Sequence, residues 1–82
     1  MMMAMQKVKI YSSSTCRDCE RVKHYLEERG IPFEEINVLK DKRARKEMEH
    51  RYGVHVTPVV IVGDHVMVGF NHLKLDKLFF VE

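Results

Sequence analysis

What the 82-residue sequence lacks excludes several classes of protein. It has no tryptophan, two prolines, four glycines and only two cysteines. A small secreted scaffold stapled by several disulfides needs more cysteines, and a chain with 45% hydrophobic residues is too apolar for a disordered one. The composition therefore indicates a soluble globular protein. Because two thiols suit a reducing compartment, we expect it to be cytoplasmic.

Neither charge nor hydropathy points to nucleic acid or a membrane. Fourteen Lys and Arg against twelve Asp and Glu leave a net charge of only +2. No apolar run approaches the roughly 18 residues of a membrane span. The methionine-rich start lacks the basic segment and apolar core of a signal peptide. We therefore expect neither partner, a frayed segment at residues 1–6, and a single monomeric domain over residues 7–82.

Hydrophobic periodicity predicts an α/β chain in the order βαβαββα. The predicted strands are residues 7–12, 33–38, 59–62 and 66–68, and the predicted helices are residues 16–29, 41–52 and a last helix capped by Asn71 and carrying Leu75, Leu78 and Phe79. The first helix joins two strands, which predicts a right-handed parallel βαβ unit. The apolar run 59–62 predicts a central strand covered on both faces. The sheet should be four-stranded and mixed, with helices on both faces.

Cys16 and Cys19 lie three positions apart where the first predicted strand passes into a helix. A helix N-terminus favours a thiolate, lowering the pKa of a cysteine from roughly 8.5 to about 3.5 to 7.5. Cys19 falls one turn later on the face of Val22 and Leu26, so it should be the more buried sulfur. The pattern predicts that Cys16 attacks a disulfide and Cys19 resolves the product. Thr15 is the predicted N-cap.

Three other interpretations of the cysteine pair stay open: a structural disulfide, a zinc site and two inert buried thiols. A disulfide across two residues closes a short loop and gains little entropy. Zinc commonly needs four nitrogen or sulfur ligands, whereas the five histidines follow no regular ligand spacing. We therefore expect no metal site.

Three motifs in this order resemble the glutaredoxins, which have a thioredoxin-like fold. They are Cys-x-x-Cys opening a helix, Thr57-Pro58 before an apolar strand, and Gly69-Phe70 before the last helix. The resemblance covers about residues 7–79 and is nearest to the small redoxins that donate electrons to ribonucleotide reductase. It implies a thiol-disulfide oxidoreductase with a redox-active disulfide and no bound cofactor, acting in cell redox homeostasis.

The resemblance also implies a groove for protein disulfide substrates. In the family, the proline matching Pro58 is cis and lies against the active-site disulfide, while the preceding residue, here Thr57, offers its backbone to an extended substrate. Arg17 should stabilise the Cys16 thiolate. The predicted substrate-binding residues are Thr15, Arg17, Thr57, Pro58, Gly69 and Phe70.

The electron source is either glutathione or thioredoxin reductase. Family members that bind glutathione strongly carry a basic residue three positions before the first cysteine and a Gly-Gly-x-Asp-like segment before the last helix. Here those positions hold Ser13 and the residues 69–72, Gly-Phe-Asn-His. The Gly-Phe pair is more similar to the redoxins that thioredoxin reductase reduces.

Two functions of other classes remain as alternatives. Some glutaredoxins carry an iron–sulfur cluster between two protomers with glutathione as a further ligand, but the retained Cys19 and the altered glutathione positions disfavour this. The second helix is rich in Lys and Arg, so a non-catalytic adaptor that docks through it is the other alternative.

Overall fold

The computed structural model describes residues 7–80, so the predicted frayed segment 1–6 lies outside the described residues. The elements are β1 (Val8–Ser12), α1 (Arg17–Glu28), β2 (Glu34–Asn37), α2 (Lys42–Tyr52), β3 (Val59–Val62), β4 (His65–Val68) and α3 (His72–Phe80). The predicted order βαβαββα is confirmed. The first two helices begin one residue later than predicted, because Cys16 and Asp41 are their N-caps.

The four strands form one mixed sheet in the order β2-β1-β3-β4. β1 pairs with β2 in parallel, with Tyr11 opposite Ile36, and with β3 antiparallel, with Tyr11 opposite Val59. β3 and β4 form the closing antiparallel hairpin. All four residues of β3 are buried, which confirms the predicted central strand.

Each face of the sheet carries its own apolar cluster. On one face, α1 and α3 pack on the strands, and the buried residues are Val8, Ile10, Val22, Tyr25, Leu26, Val60, Val62, Met67 and Leu75. On the other, α2 packs on the strands, and the buried residues are Tyr11, Val38, Ala44, Met48, Val59 and Ile61. The prediction of helices on both faces is confirmed. Among residues 7–80, no helix is long and apolar enough to cross a membrane.

Capping side chains and left-handed glycines set the helix ends. The Asp41 carboxylate accepts from the Ala44 N–H at 3.0 Å, and the Asn71 side chain accepts from Leu73 and Lys74, which confirms Asn71 as the cap of α3. Gly30 follows α1 at φ +67°, a backbone conformation that a residue with a Cβ rarely adopts. Each of these helix ends is thus set by residues local to it in sequence.

A hydrogen bond between side chains joins the two helices on the first face. The Tyr25 hydroxyl of α1 donates to the Asp76 carboxylate of α3. Burial, and then this hydrogen bond, raise the pKa of Tyr25 to about 12. The Arg29 guanidinium lies 3.7 Å from the centre of the Tyr25 ring. This contact therefore fixes α3, and with it the segment that follows β4, against α1.

Candidate active site

Cys16 and Cys19 are joined by a disulfide at the start of α1, with their Cα atoms 5.2 Å apart. Cys16 is itself the N-cap, with extended φ and ψ of −96° and 113°, and its Sγ accepts from the Cys19 N–H at 3.0 Å. The prediction that Thr15 is the N-cap is therefore wrong. Cys16 is the residue at which the extended backbone meets the helix, so its sulfur occupies the position of a capping oxygen.

The two sulfurs differ sharply in exposure. Cys19 is only 1% exposed, whereas Cys16 is half-buried and lines a groove at the surface. A substrate can reach Cys16 from that groove, while Cys19 is covered by the core under α1. In the reduced protein the N–H that meets the Cys16 sulfur would stabilise a thiolate there. The geometry thus suits one accessible nucleophile with a protected second thiol behind it.

A side-chain network below the cysteine loop was not predicted. The buried Ser12 hydroxyl at the end of β1 donates to the Glu35 carboxylate of β2 at 2.8 Å, and the Lys23 ammonium of α1 contacts the same carboxylate oxygen at 3.0 Å. Lys23, and then Ser12, hold the pKa of Glu35 below its ordinary value, while Glu20 and Glu35 raise the pKa of Lys23. The network ties β1, β2 and α1 together just before the Cys16 loop.

The Thr57-Pro58 peptide bond is cis, as the family resemblance implied. The Thr57 hydroxyl lies 3.3 Å from the Ser13 hydroxyl, in the loop before Cys16. The Gly69 N–H donates to the carbonyl of Pro58 at 2.8 Å. Hydrogen bonds therefore connect the proline loop to the cysteine loop on one side and to the segment before α3 on the other.

The groove beside Cys16 has a volume of about 410 Å³. Its lining residues are Ser13, Thr15, Cys16, Val38, Leu39, Arg45, Met48, His55, Val56 and Thr57. Leu39 and Val56 are 56% and 59% exposed, so two aliphatic side chains present apolar surface to solvent in the groove that Cys16 lines. Sequence reasoning missed both, since neither belongs to a periodic element. In the sequence, each of them stands out only as an apolar residue within a loop.

The structure brings together some of the predicted substrate-binding residues and separates others. Thr15 and Thr57 line the groove with Cys16, whereas Pro58, the neighbour of Thr57, is buried, and the Gly69 N–H donates to its carbonyl. Two others do not line this groove: Arg17 is exposed in the first turn of α1, and Phe70 packs on the cluster under α1 and α3. Contact of these residues with a substrate stays a prediction.

The residues at the two positions where family members bind glutathione have other surroundings here. Ser13, which replaces the basic residue of the family, lines the groove with a neutral hydroxyl. The Asn71 side chain is occupied by the N–H groups at the start of α3. His72 lines a separate cavity of about 230 Å³ beside Tyr25 and Arg29. Within residues 7–80, no three His, Cys, Asp or Glu side chains are grouped to hold a metal ion.

A Cys-x-x-Cys disulfide at the first helix of this mixed sheet defines a thioredoxin-fold dithiol protein. A family model described as Glutaredoxin matches residues 8–67, so the chain belongs to the glutaredoxin family. The resemblance read from the sequence is confirmed. The chain is thus a glutaredoxin-like oxidoreductase whose redox-active pair is Cys16 and Cys19.

Relatives of known name and structure agree with this assignment. A glutaredoxin-like 8.6 kDa protein in the rubredoxin operon of Clostridium pasteurianum is 38% identical over 87% of this chain and 95% of that protein. An N-acetyl-S-hydroxy-L-cysteine reductase of Bacillus subtilis is 36% identical over 80% of this chain and 77% of that protein. The solved glutaredoxin-like NrdH-redoxin of Escherichia coli is 35% identical, with a TM-score of 0.78 over 88% of this chain and 93% of that one.

Proposed function

We propose that this chain is a protein-disulfide reductase in which Cys16 is the nucleophile and Cys19 the resolving thiol. The Cys16 thiolate attacks one sulfur of the substrate disulfide, and the other substrate sulfur leaves and takes up a proton. The Cys19 thiol then loses its proton, and the resulting thiolate attacks the Cys16 sulfur and displaces the second substrate sulfur, which is protonated in turn. Two electrons and two protons pass to the substrate, and the Cys16–Cys19 disulfide remains.

The observation that carries this proposal is the unequal placement of the two sulfurs around one hydrogen bond. Cys16 lines the groove and accepts the Cys19 N–H at 3.0 Å, while Cys19 is 1% exposed. An incoming disulfide therefore meets Cys16 first. Cys19 needs only to reach the sulfur next to it, which makes resolution intramolecular and fast relative to a second encounter.

The groove offers an extended substrate both backbone and apolar contacts. Thr57 lies at its edge, and a strand-like segment beside it can pair with its backbone groups by β-augmentation. Leu39 and Val56 supply exposed aliphatic surface on either side. A protein substrate, which has side chains beyond its cysteines, uses this surface more fully than a small thiol does.

For the electron donor we favour thioredoxin reductase over glutathione. Ser13 provides no cation in the groove, and the Asn71 side chain is already bonded within α3. The solved Escherichia coli neighbour is a glutaredoxin-like redoxin with a thioredoxin-like activity profile. By the same resemblance, ribonucleotide reductase is a protein substrate to test. We take the protein to be a cytoplasmic monomer with residues 7–82 as its single domain.

Two coupled assays of NADPH consumption test this assignment, with a disulfide-bonded protein such as insulin as the substrate. One contains thioredoxin reductase, and the other contains glutathione with glutathione reductase. The first should be the faster, and Cys16→Ser should abolish turnover in both. Faster turnover with glutathione would reverse the choice of donor. Absence of turnover with either donor would refute the reductase. Visible absorbance in an anaerobically purified sample would instead favour the iron–sulfur alternative.

A second candidate substrate follows from the Bacillus subtilis relative, whose name specifies reduction of an S-hydroxycysteine derivative. The same dithiol suits that reaction. Cys16 would attack the S–OH sulfur and release hydroxide, and Cys19 would then free the thiol from the mixed disulfide. Release of N-acetylcysteine from N-acetyl-S-hydroxycysteine generated in the assay, compared with insulin reduction, measures which substrate the enzyme prefers.

A further inference from the structure

Positive charge in this chain is concentrated beside the active-site groove. Residues 40–51 contain six Lys and Arg and three Asp and Glu, an excess of three positive charges. The whole chain has a net charge of only +2, so the remainder is slightly negative. The segment comprises the two residues before α2 and all of α2 except its last residue, Tyr52. A balanced total charge therefore hides a local cationic surface.

The acidic residues of this segment are already engaged within the protein. Asp41 caps α2 through the Ala44 N–H, and Glu47 accepts a hydrogen bond from the Tyr11 hydroxyl at 2.7 Å. Glu49 lies 3.2 Å from Arg45 and 3.5 Å from His55. These carboxylates therefore neutralise only part of the local positive charge.

Several cations of the segment have no such counter-charge. Lys40, Lys42, Arg43 and Lys46 are exposed, and none has an ion-pair partner within 4.0 Å among residues 7–80. Such side chains are fully available to an anionic partner. The free positive charge thus lies just before α2 and in its first half rather than along its whole length.

Two of these lysines lie next to residues of the groove. Lys42 precedes Arg45 by three positions on α2, so the two share a helix face, and Arg45 lines the groove. Lys40 directly follows Leu39, which also lines it. The groove that contains Cys16 therefore has an apolar lining and, on its α2 side, a cationic border formed by Lys40 and Lys42 together with Arg45, whose charge Glu49 partly offsets.

We propose that this border selects the substrate: the groove takes disulfides in protein segments that carry Asp or Glu beside aliphatic residues near the reacting cysteine. This inference rests on the proposed reductase function and adds the substrate class to it. The aliphatic residues would lie on Leu39 and Val56, and the carboxylates would face the cationic border. An extended segment advances about 3.3 Å per residue, so acidic residues a few positions from the cysteine reach α2 when the cysteine is at Cys16.

The test uses two disulfide-bonded peptides that differ only in charge. Both have the same aliphatic residues around the cysteine, and one carries Asp and Glu where the other carries Asn and Gln. At low ionic strength kcat/KM for the acidic peptide should exceed that for the neutral one by roughly tenfold. The ratio should fall towards one in about 1 M salt, where the screening length is about 3 Å.

A matched pair of variants separates the border from net charge. Lys40→Gln with Lys42→Gln removes two charges beside the groove, and Lys74→Gln with Lys77→Gln removes two from α3, on the other face of the sheet. The first variant should lose most of the acidic preference, and the second should keep it. Equal loss in both variants, equal rates for both peptides, or a preference that salt does not alter would overturn the proposal.

Two further outcomes are distinguished by the same measurements. Oxidised glutathione is a small anionic disulfide, and if its reduction fell as strongly as that of the acidic peptide in the Lys40 and Lys42 variant, the border would be a site for small anions and the proposal would fail. Wild-type protein that reduces neither peptide nor insulin would refute the reductase itself. Wild-type protein that reduces insulin but reduces the acidic and neutral peptides equally fast would refute only the proposed substrate class.

Discussion

The backbone N–H of Cys19 donates to the Sγ of Cys16 over 3.0 Å, so Cys16 caps α1 and Cys19 supplies the N–H group that the cap accepts. The same contact both starts the helix and sets the surroundings of the Cys16 sulfur. The sulfur that takes the place of a capping oxygen receives the unpaired donor and the positive end of the α1 dipole. The sulfur that supplies the donor is carried into the core on the face of Val22 and Leu26.

In the reduced protein, Cys16 should react with iodoacetamide faster than Cys19 and at a pH below the ordinary thiol pKa of about 8.5. The helix N-terminus favours its thiolate, and only Cys16 lines the groove. Mass mapping of the labelled positions over a pH series measures both effects. The Cys16→Ser variant serves as the control by giving the rate of Cys19 alone. Labelling of Cys19 first would reverse the assignment of nucleophile and resolving thiol.

The Cys19→Ser variant should retain the first attack and lose its resolution. Because Cys19 is the thiol adjacent to the attacked sulfur, the variant should accumulate mixed disulfides between Cys16 and protein substrates. The steady-state rate of insulin reduction should fall by roughly 100-fold or more, because loss of one residue of a catalytic pair disables the pair. Non-reducing electrophoresis detects the trapped species, and Cys16→Ser should trap none. Normal turnover of Cys19→Ser would assign resolution to another thiol.

Short-range patterns in the sequence predicted the elements and the order of burial of the cysteines. The helical period alone is enough to predict that Cys19, Val22 and Leu26 share one buried face. A continuous apolar run is enough to predict that β3 is a central strand. The N-cap was misplaced because Thr15 is the more usual capping residue. The backbone turns into the helix one residue later, and no pattern of residue types reveals that.

The groove and the network below it depend on contacts distant in sequence. The Ser12 hydroxyl meets Glu35 only because β1 and β2 pair in one particular register, which periodicity does not determine. Leu39 and Val56 belong to two loops, one before α2 and one before β3, that meet at the Cys16 groove only in the folded chain. Sequence reasoning therefore found the cysteine pair and missed most of the groove beside it.

Tyr25→Phe should destabilise the fold by about 1 to 2 kcal/mol, because it removes the hydrogen bond to the Asp76 carboxylate. For a domain of this size that is a decrease in Tm of roughly 4 to 8 °C per kcal/mol. Tyr52→Phe is the matched control, since the Tyr52 hydroxyl has no hydrogen-bond partner within the described range 7–80. Thermal unfolding of both variants at neutral pH measures the difference. Equal decreases in Tm would mean that the Tyr25 hydroxyl contributes nothing specific.

The contribution of Glu35 to stability should depend on pH. Lys23, and then Ser12, hold the pKa of this carboxyl in the folded protein below its ordinary value of 4.5. The folded state therefore binds the proton of Glu35 less tightly than the unfolded state does. The resulting stabilisation is present above the ordinary pKa and is lost as the pH falls through the lower, folded-state pKa.

Glu35→Gln should accordingly lower the free energy of unfolding at neutral pH by up to about 1 kcal/mol, a modest value because the pair with Lys23 is partly exposed to solvent. The difference from wild type should shrink on acidification from neutral pH to below the folded-state pKa of Glu35, where this carboxyl becomes neutral in both states. Denaturant unfolding along this pH series measures it. Glu34→Gln, on the same strand but with no ion pair among residues 7–80, is the matched control and should change the free energy of unfolding at neutral pH less than Glu35→Gln does. A constant difference at every pH would mean that Glu35 acts through packing alone, and the charge of the network would then have no part in holding β1, β2 and α1 behind the Cys16 loop.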